Sequence, residues 1–354
     1  MKLPPLRLCA LLACLPWLAA SPLSASGRAP GSVLLIAGQS REEFTGYLND
    51  VCERGRACPL PGGAAFYTSL DLSGVSGPHA NEPGDNHQDL EYLKLVQSPL
   101  VLQIGLWLSR DQLFEIADGA HDADIARLRT ALESLKRPVF LRIGYEFDGP
   151  HNRYPPEAYV KAYRVIARAL RPCRDIFLVW HSFAMLPTYQ EIGIEAWYPG
   201  DDYVDWMAIS FFQVGEEGFH RAPNREAVLA FARAHGKPVL IAEASPIRYT
   251  RRQKTLGGRD WWDYWHRPFF ELIETHPEIK AVSIINVNWD SQAQHRSLDW
   301  GDCRLDRDPV ILDLWRRQVS EPCWLRADAR LYDAVRELSR PTPAPLSPSA
   351  IPTR

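Results

Sequence analysis

The chain predicts a (β/α)8 barrel, an α/β fold in one catalytic domain, and three observations carry that expectation. Apolar, β-prone runs alternate with amphipathic helical runs along almost the whole sequence, the rhythm of parallel β/α units. Eight such strand-like runs can be read, the number that closes a barrel. The competing open sheet, in its dinucleotide-binding form, needs Gly-x-Gly-x-x-Gly after the first strand. Ala37-Gly-Gln-Ser40 does not supply it.

Before the first unit, residues 1–26 read as an export signal. Lys2 and Arg7 flank the start of an apolar run, Leu8 to Ala20, too short to span a membrane comfortably. Small residues follow at Ser21, Ser24, Ala25 and Ser26. A secreted or periplasmic protein is expected. The barrel then occupies 27–340, and the Pro-, Ser- and Thr-rich stretch 341–354 reads as a disordered tail.

The units follow in order. Ser32 to Ala37 is the first strand, with a helix from Arg41 to Cys52. Ala64 to Leu70 is the second strand, followed by a Gly/Pro/Asn-rich loop, Ser73 to Asn86, and a short helix at Asp89–Val96. Leu100 to Trp107 is the third strand. The next helix, Asp122–Lys136, places Ile125, Leu128, Leu132 and Leu135 on one stripe. The fourth strand, 138–146, precedes a helix opened by Pro155-Pro156, a residue type tolerated in the first turn. Asp175 to His181 and Val204 to Phe211 are strands five and six. A helix at Asn224–His235 ends on Gly236, and Pro238 to Ala244 is strand seven. The helix Trp261–Thr275 leads to strand eight, Ala281 to Val287. A long loop then runs to a last helix, Ala327–Leu338. Trp261, Trp262 and Trp265 share that earlier helix and read as core. Asp201-Asp202 reads as a turn cap rather than a cation site.

Composition narrows the partners. Lys plus Arg number 40 against 43 acidic residues, so nothing points to capture of nucleic acid or an anionic membrane. No later stretch is long and apolar enough to span a membrane. The 12 Trp and 13 Tyr suit a polysaccharide or oligosaccharide partner, because sugar C–H faces stack on aromatic rings. No Cys-x-x-Cys occurs and the ten His lack a zinc spacing, so neither metal nor cofactor is expected. For an exported chain, Cys52–Cys58 and Cys303–Cys323 are natural local disulfides, leaving Cys173 as a thiol. A monomer is expected.

The chemistry is written at two strand ends. In Pro138-Val-Phe-Leu-Arg-Ile-Gly-Tyr-Glu-Phe-Asp-Gly149 the buried strand turns polar. A period of two puts Arg142, Gly144 and Glu146 on one face, with Gly144 clearing space between the charges. The seventh strand repeats the pattern: Val239, Ile241 and Glu243 share a face and end on a carboxylate. Both carboxylates then lie at the C-terminal mouth of the barrel, where such folds keep their chemistry. Two glutamates about 5–5.5 Å apart are the equipment of a retaining glycosidase. Arg142 is placed to reach the nucleophile across the barrel. His181 ends strand five and Trp107 ends strand three, and both are candidate sugar contacts. Ser182 and Ser245 lack the partners of a serine hydrolase.

These residues resemble glycoside hydrolase family 26, the retaining (β/α)8 enzymes that include β-mannanases. The resemblance runs from about Ser32 to Leu338. It rests on Leu141-Arg-Ile-Gly-Tyr-Glu-Phe-Asp-Gly149 with Pro155-Pro-Glu-Ala-Tyr-Val-Lys-Ala-Tyr-Arg164, on Trp197-Tyr-Pro-Gly-Asp-Asp-Tyr-Val-Asp-Trp206, on Pro238-Val-Leu-Ile-Ala-Glu243 and on Trp300-Gly-Asp-Cys-Arg-Leu305. It implies Glu146 as acid/base, Glu243 as nucleophile, Arg142 as support of the pair and Trp289 as a platform for the sugar. Three departures stand out: Tyr145 stands where mannanase-type enzymes carry His before the acid/base, Asp148 where Asn is common, and Phe211-Phe212 in the region where many such barrels put a strand-six Tyr that meets the nucleophile. The expected substrate-contacting set is therefore Arg142, Tyr145, Trp107, His181, Phe212 and Trp289. A retaining endo-β-glycosidase acting on mannan, glucan or a bacterial exopolysaccharide is the function expected. A catalytically silent polysaccharide-binding barrel, in an export or biofilm apparatus, is the rival, and a lyase using Tyr145 or His181 as base is a third.

Overall fold

The computed structural model describes residues 27–52, 60–75, 99–184, 192–212, 222–247, 257–293, 295–298 and 300–340. The expected export signal, the helix at 89–96 and the tail 341–354 lie outside these residues. Eight parallel strands close into a barrel in chain order: β1 (Leu34–Ala37), β2 (Gly63–Thr68), β3 (Val101–Leu106), β4 (Val139–Ile143), β5 (Ile176–Ser182), β6 (Trp206–Phe211), β7 (Val239–Ala244) and β8 (Ile279–Ile284). Closure is made by β1, which pairs Ile36 with Gly63 of β2 and Leu34 with Ala281 of β8.

The helical layer begins with α1 (Arg41–Val51), whose cap Ser40 accepts a hydrogen bond from the Glu43 amide at 3.0 Å. Then come α2 (Arg110–Ala117), α3 (Asp122–Ser134), α4 (Pro156–Leu170) and α5 (Ala222–Ala234). Past β7, α6 (Gly258–Trp261) continues through a π turn, Trp262–His266, into α7 (Arg267–Thr275). Trp261, Trp262 and Trp265 are buried there, as core residues. Two helices absent from the sequence reading appear. One is α2, which opens with a capping box between Ser109 and Gln112, a signature plainly written in Ser109-Arg-Asp-Gln112. The other is α8 (Pro309–Val319), capped by Asp308 and burying Ile311, Leu314 and Trp315. The last helix is α9 (Leu331–Leu338).

Inside the barrel, Leu34, Ile36, Phe140, Val179, Trp206 and Leu240 form one apolar cluster. Leu325, with Leu331 and Val335 of α9, belongs to the same cluster, so the C-terminal helix is the floor of the barrel. It is pinned there by Trp206 Nε1, which donates to Ser339 Oγ at 2.9 Å. Each such apolar side chain contributes about 1.5–3 kcal/mol on burial. The floor seals the N-terminal end of the strands, which leaves polar chemistry to the C-terminal end.

The cysteines correct one expectation. Cys303 and Cys323 are buried thiols, not a disulfide. The Cys303 amide bonds to Val287 O beyond the end of β8, at the mouth. The Cys323 carbonyl accepts from Val33 N just before β1, at the floor. The unforeseen α8 runs between them and separates them by about 16 Å of helix length, far beyond disulfide reach. Cys173 is a thiol, as expected. Cys52 is disulfide-bonded; Cys58, its expected partner, lies outside the described residues.

Candidate active site

Both glutamates reach the mouth, but neither by simple alternation. In β7, Ile241 packs outward with Val239 in the helix-facing core, while Leu240 and Ala242 belong to the interior. Continued alternation would aim Glu243 at the helices. Instead Ile209 pairs with Ile241 but Ser210 with Glu243, and the ladder to β8 shifts between Ile241 and Ala244. This one-residue bulge returns Glu243 to the interior, the re-aiming for which bulges are used near active sites.

β4 ends at Ile143, three residues before Glu146. Gly144 and Glu146 both have φ of 52°. For glutamate this left-handed backbone is uncommon and is held only where surroundings fix it. Asn152 Nδ2 donates to the carbonyls of Tyr145 (2.8 Å) and Glu146 (2.9 Å). Gly149 N donates to Glu146 O at 2.8 Å and Phe147 N to His181 O at 3.2 Å. Asp148 accepts from Ser182 Oγ at 2.9 Å and from Phe183 N at 2.5 Å, tying the turn to the end of β5.

The space-making glycine is not Gly144. A Cβ there would meet the Tyr159 ring at 3.0 Å, on the helix side. Gly105 of β3 clears the site. A Cβ at Gly105 would come within 2.6 Å of the Tyr67 ring and 2.9 Å of Arg142 Nη2.

Around that gap the charges are arrayed. Arg142 is completely buried, with its guanidinium 5.0 Å from the ring centres of both Tyr67 and Tyr145, within cation–π range. Its Nη1 donates to Glu243 Oε1, which also accepts from Tyr67 OH at 2.8 Å. Among the described residues Glu243 Oε2 has no hydrogen-bond donor. Arg142 Nη1 lies 3.3 Å from His181 Nδ1, and His181 Nε2 lies 3.0 Å from Ser210 Oγ. Ser210 Oγ in turn donates to Glu146 Oε1 at 2.5 Å. The two carboxylates are thus the ends of one polar chain, Glu243–Arg142–His181–Ser210–Glu146. The far oxygen, Glu146 Oε2, meets His151 Nε2 at 3.0 Å.

Burial, and then the charge of Glu146, push Glu243 above the usual carboxylate range, against Arg142 and Tyr67, which pull it down. Burial also opposes charge on Glu146, but His151, His181 and Ser210 prevail and hold it well below that range.

The remaining expected residues sort by exposure. Trp107, at the end of β3, is 39% exposed and stands on the rim. Tyr145 is half-buried over Arg142. The three others are buried. His181 is fully buried beneath the carboxylates, acting between Arg142 and Ser210. Phe212 is buried against Trp300, with ring centres 5.7 Å apart. Trp289 is 3% exposed, its Nε1 donating to Ser245 Oγ at 3.0 Å and its ring edge-on to Trp300.

Sequence reasoning missed Tyr67, Ser210, Gly105 and His151. Tyr67 was findable as the polar aromatic in phase with inward Ala65 near the end of β2. Ser210 had a similar signal near the end of β6. His151 sits in an irregular turn that no periodicity marks. Among the described residues no His, Cys, Asp and Glu group could hold a metal ion, and no helix is long and apolar enough to cross a membrane.

No protein-family model matches the chain. It is 28% identical over 322 residues to a β-1,3-xylanase from an Alcaligenes species, covering 85% of this chain and 66% of that protein. It is 29% identical over 296 residues to a β-1,3-xylanase from a Vibrio species, covering 77% of this chain and 62% of that one. The chain therefore spans less than two thirds of the length of these curated relatives. Among solved structures, the family 26 β-mannanase of Bacteroides ovatus superposes with a TM-score of 0.55 at 16% identity, covering 85% of this chain and 92% of that one. The resemblance read from the strand-end motifs is borne out by these kinships. In fold the chain shares the (β/α)8 barrel of the family 26 β-mannanase, and in sequence it is similar to the two β-1,3-xylanases.

Proposed function

We propose that this protein is a retaining endo-β-glycosidase that cleaves β-1,3-linked xylan, with Glu243 as nucleophile and Glu146 as acid/base. One observation carries the roles: Glu243 Oε1 is held by a buried Arg142 and by Tyr67, while Oε2 has no donor among the described residues. Arg142 pulls Glu243 toward its charged form against burial and Glu146, which still leave it above the usual range. The roles therefore rest on the open oxygen that attack requires rather than on resting proton affinity. The cation at Glu146 is a histidine, which can give up its proton. The β-1,3-xylan assignment draws on the named activities of the two sequence relatives.

In the first step Glu243 Oε2 bonds to the sugar C1 as the C1–O bond to the leaving chain breaks, and Glu146 protonates that oxygen. In the second, Glu146 takes a proton from water, the water oxygen bonds to C1, and the ester to Glu243 breaks. Tyr67 supports Glu243 by donating to its Oε1. Trp107 offers a rim platform, while Trp289 and Phe212 form a wall. Tyr145 and Arg142 floor the cleavage point.

The test is product release from a panel of β-1,3-xylan, β-1,4-xylan, β-mannan and β-1,3-glucan. Oligosaccharides of several lengths from β-1,3-xylan, at rates at least tenfold above the others, are expected. Binding to a polymer with no release from any would favour the silent barrel instead.

A further inference from the structure

Among the described residues, His151 is the one partner of the two carboxylates that comes from an irregular turn rather than a strand. Its side chain is 46% exposed on one side and faces Glu146 on the other. The turn is shaped around it. A Cβ at Gly149 would come within 2.4 Å of His151 Cε1 and 2.9 Å of Nδ1, so glycine is needed for the ring to fold back over the backbone. The Phe183 ring meets it edge-on, with centres 5.3 Å apart. A ring seated this closely, at 3.0 Å from Glu146 Oε2, is positioned for proton exchange.

We infer that His151 and Glu146 act as one proton-carrying pair, His151 storing at Nε2 the proton that Glu146 delivers to the leaving oxygen. This rests on the acid/base reading of Glu146. The charged and titratable groups facing the imidazole are Glu146, Glu243 and Asp148. Burial works against its charge, but the hydrogen bond and charge of Glu146, with the charges of Glu243 and Asp148, raise its affinity for the proton above that of an ordinary histidine. The resting pair is then imidazolium and carboxylate. In the first step the proton passes from His151 Nε2 to Glu146 Oε2 and on to the glycosidic oxygen as the C1–O bond breaks. His151 is left neutral and Glu146 ionised. In the second step Glu146 takes the proton from the attacking water and returns it to His151. No proton is gained or lost over the cycle beyond those of the water consumed.

The pair's proton is lost at the imidazole, so the basic limb of kcat/KM in the wild type lies above pH ~6.5. Without the imidazole it follows Glu146 alone. The experiment compares wild type, His151→Gln and His151→Lys on β-1,3-xylan and on 2,4-dinitrophenyl β-xylobioside, whose leaving group needs no acid. His151→Gln is expected to move the basic limb acidward by about one pH unit or more, the tenfold scale of one titration step. At pH 7 it should lose tenfold or more on the polymer and less than threefold on the aryl glycoside, with the polymer loss recovered by pH 5. Lysine keeps a cation and an N–H but holds its proton too tightly, and should not restore the polymer rate at pH 7. An unmoved limb, equal losses on both substrates, or rescue by lysine would overturn the inference. Glu243→Gln is measured alongside: if it stays active on both substrates, the carboxylate assignment has failed rather than the proton pair.

Discussion

Replacing Glu243 by glutamine is expected to lower kcat on the polymer by at least about a hundredfold, or ~3 kcal/mol of transition-state stabilisation. The amide is nearly isosteric and keeps an oxygen for Tyr67 and Arg142, so folding is spared. It cannot form the glycosyl ester. Glu146→Gln is expected to lose a similar factor on polymer, because the leaving sugar oxygen is too basic to depart unprotonated. The two variants differ on 2,4-dinitrophenyl β-xylobioside. Glu146→Gln should still complete the first step there and release a burst of dinitrophenolate, whereas Glu243→Gln should release none. Reversal of that pattern would exchange the two roles. The geometry favours the stated order, because Arg142 and Tyr67 are both committed to Glu243.

Arg142→Met should have the second large effect, on activity and stability together. Arg142 is fully buried, and removing one partner of a buried ion pair typically costs about 3–5 kcal/mol. Glu243 can escape part of that cost by taking up a proton, since burial and Glu146 already push its proton affinity up. The sign of the pH dependence follows. An acid whose folded pKa lies above its unfolded value makes the folded state the better proton binder. Its contribution is most favourable near or below the unfolded value of about 4.3 and is lost as pH rises toward the folded one. The melting temperature of Arg142→Met should therefore fall further below wild type at pH 7 than at pH 4.5, and Glu243, once protonated, should no longer attack. Equal destabilisation at both pH values would mean that Glu243 does not carry the charge that Arg142 neutralises.

Much of this molecule was legible because the barrel repeats one instruction. Each strand is a short apolar run buried on both sides, and each is followed by helical or turn signals, so eight strands could be counted from residues such as Val139-Phe140-Leu141 and Val239-Leu240-Ile241. The last helix was legible too, but its task as the floor was not, because nothing local says that Leu331 and Val335 pack against Leu34 and Trp206 from distant parts of the chain. α8 was hidden by its charged neighbours, and losing it made the Cys303–Cys323 pairing look local. At the site, residue types were legible and facing was not. Period-two reasoning placed Glu243 with Ile241, but a bulge reversed the phase. It placed Gly144 and Glu146 on a strand, but the strand had already ended. The contacts that distinguish the carboxylates, Tyr67 to Glu243 and Ser210 to Glu146, join strands whose register only closure of the barrel fixes.

Double displacement at Glu243 and Glu146 is tested most directly by the anomeric form of the first product. Digestion of β-1,3-xylo-oligosaccharides followed by proton NMR, on a timescale shorter than mutarotation, reads the configuration of the new reducing end. A β-anomer appearing first and then relaxing toward the equilibrium mixture is the predicted result. An α-anomer appearing first would mean single displacement by water, and would contradict Glu243 as the nucleophile.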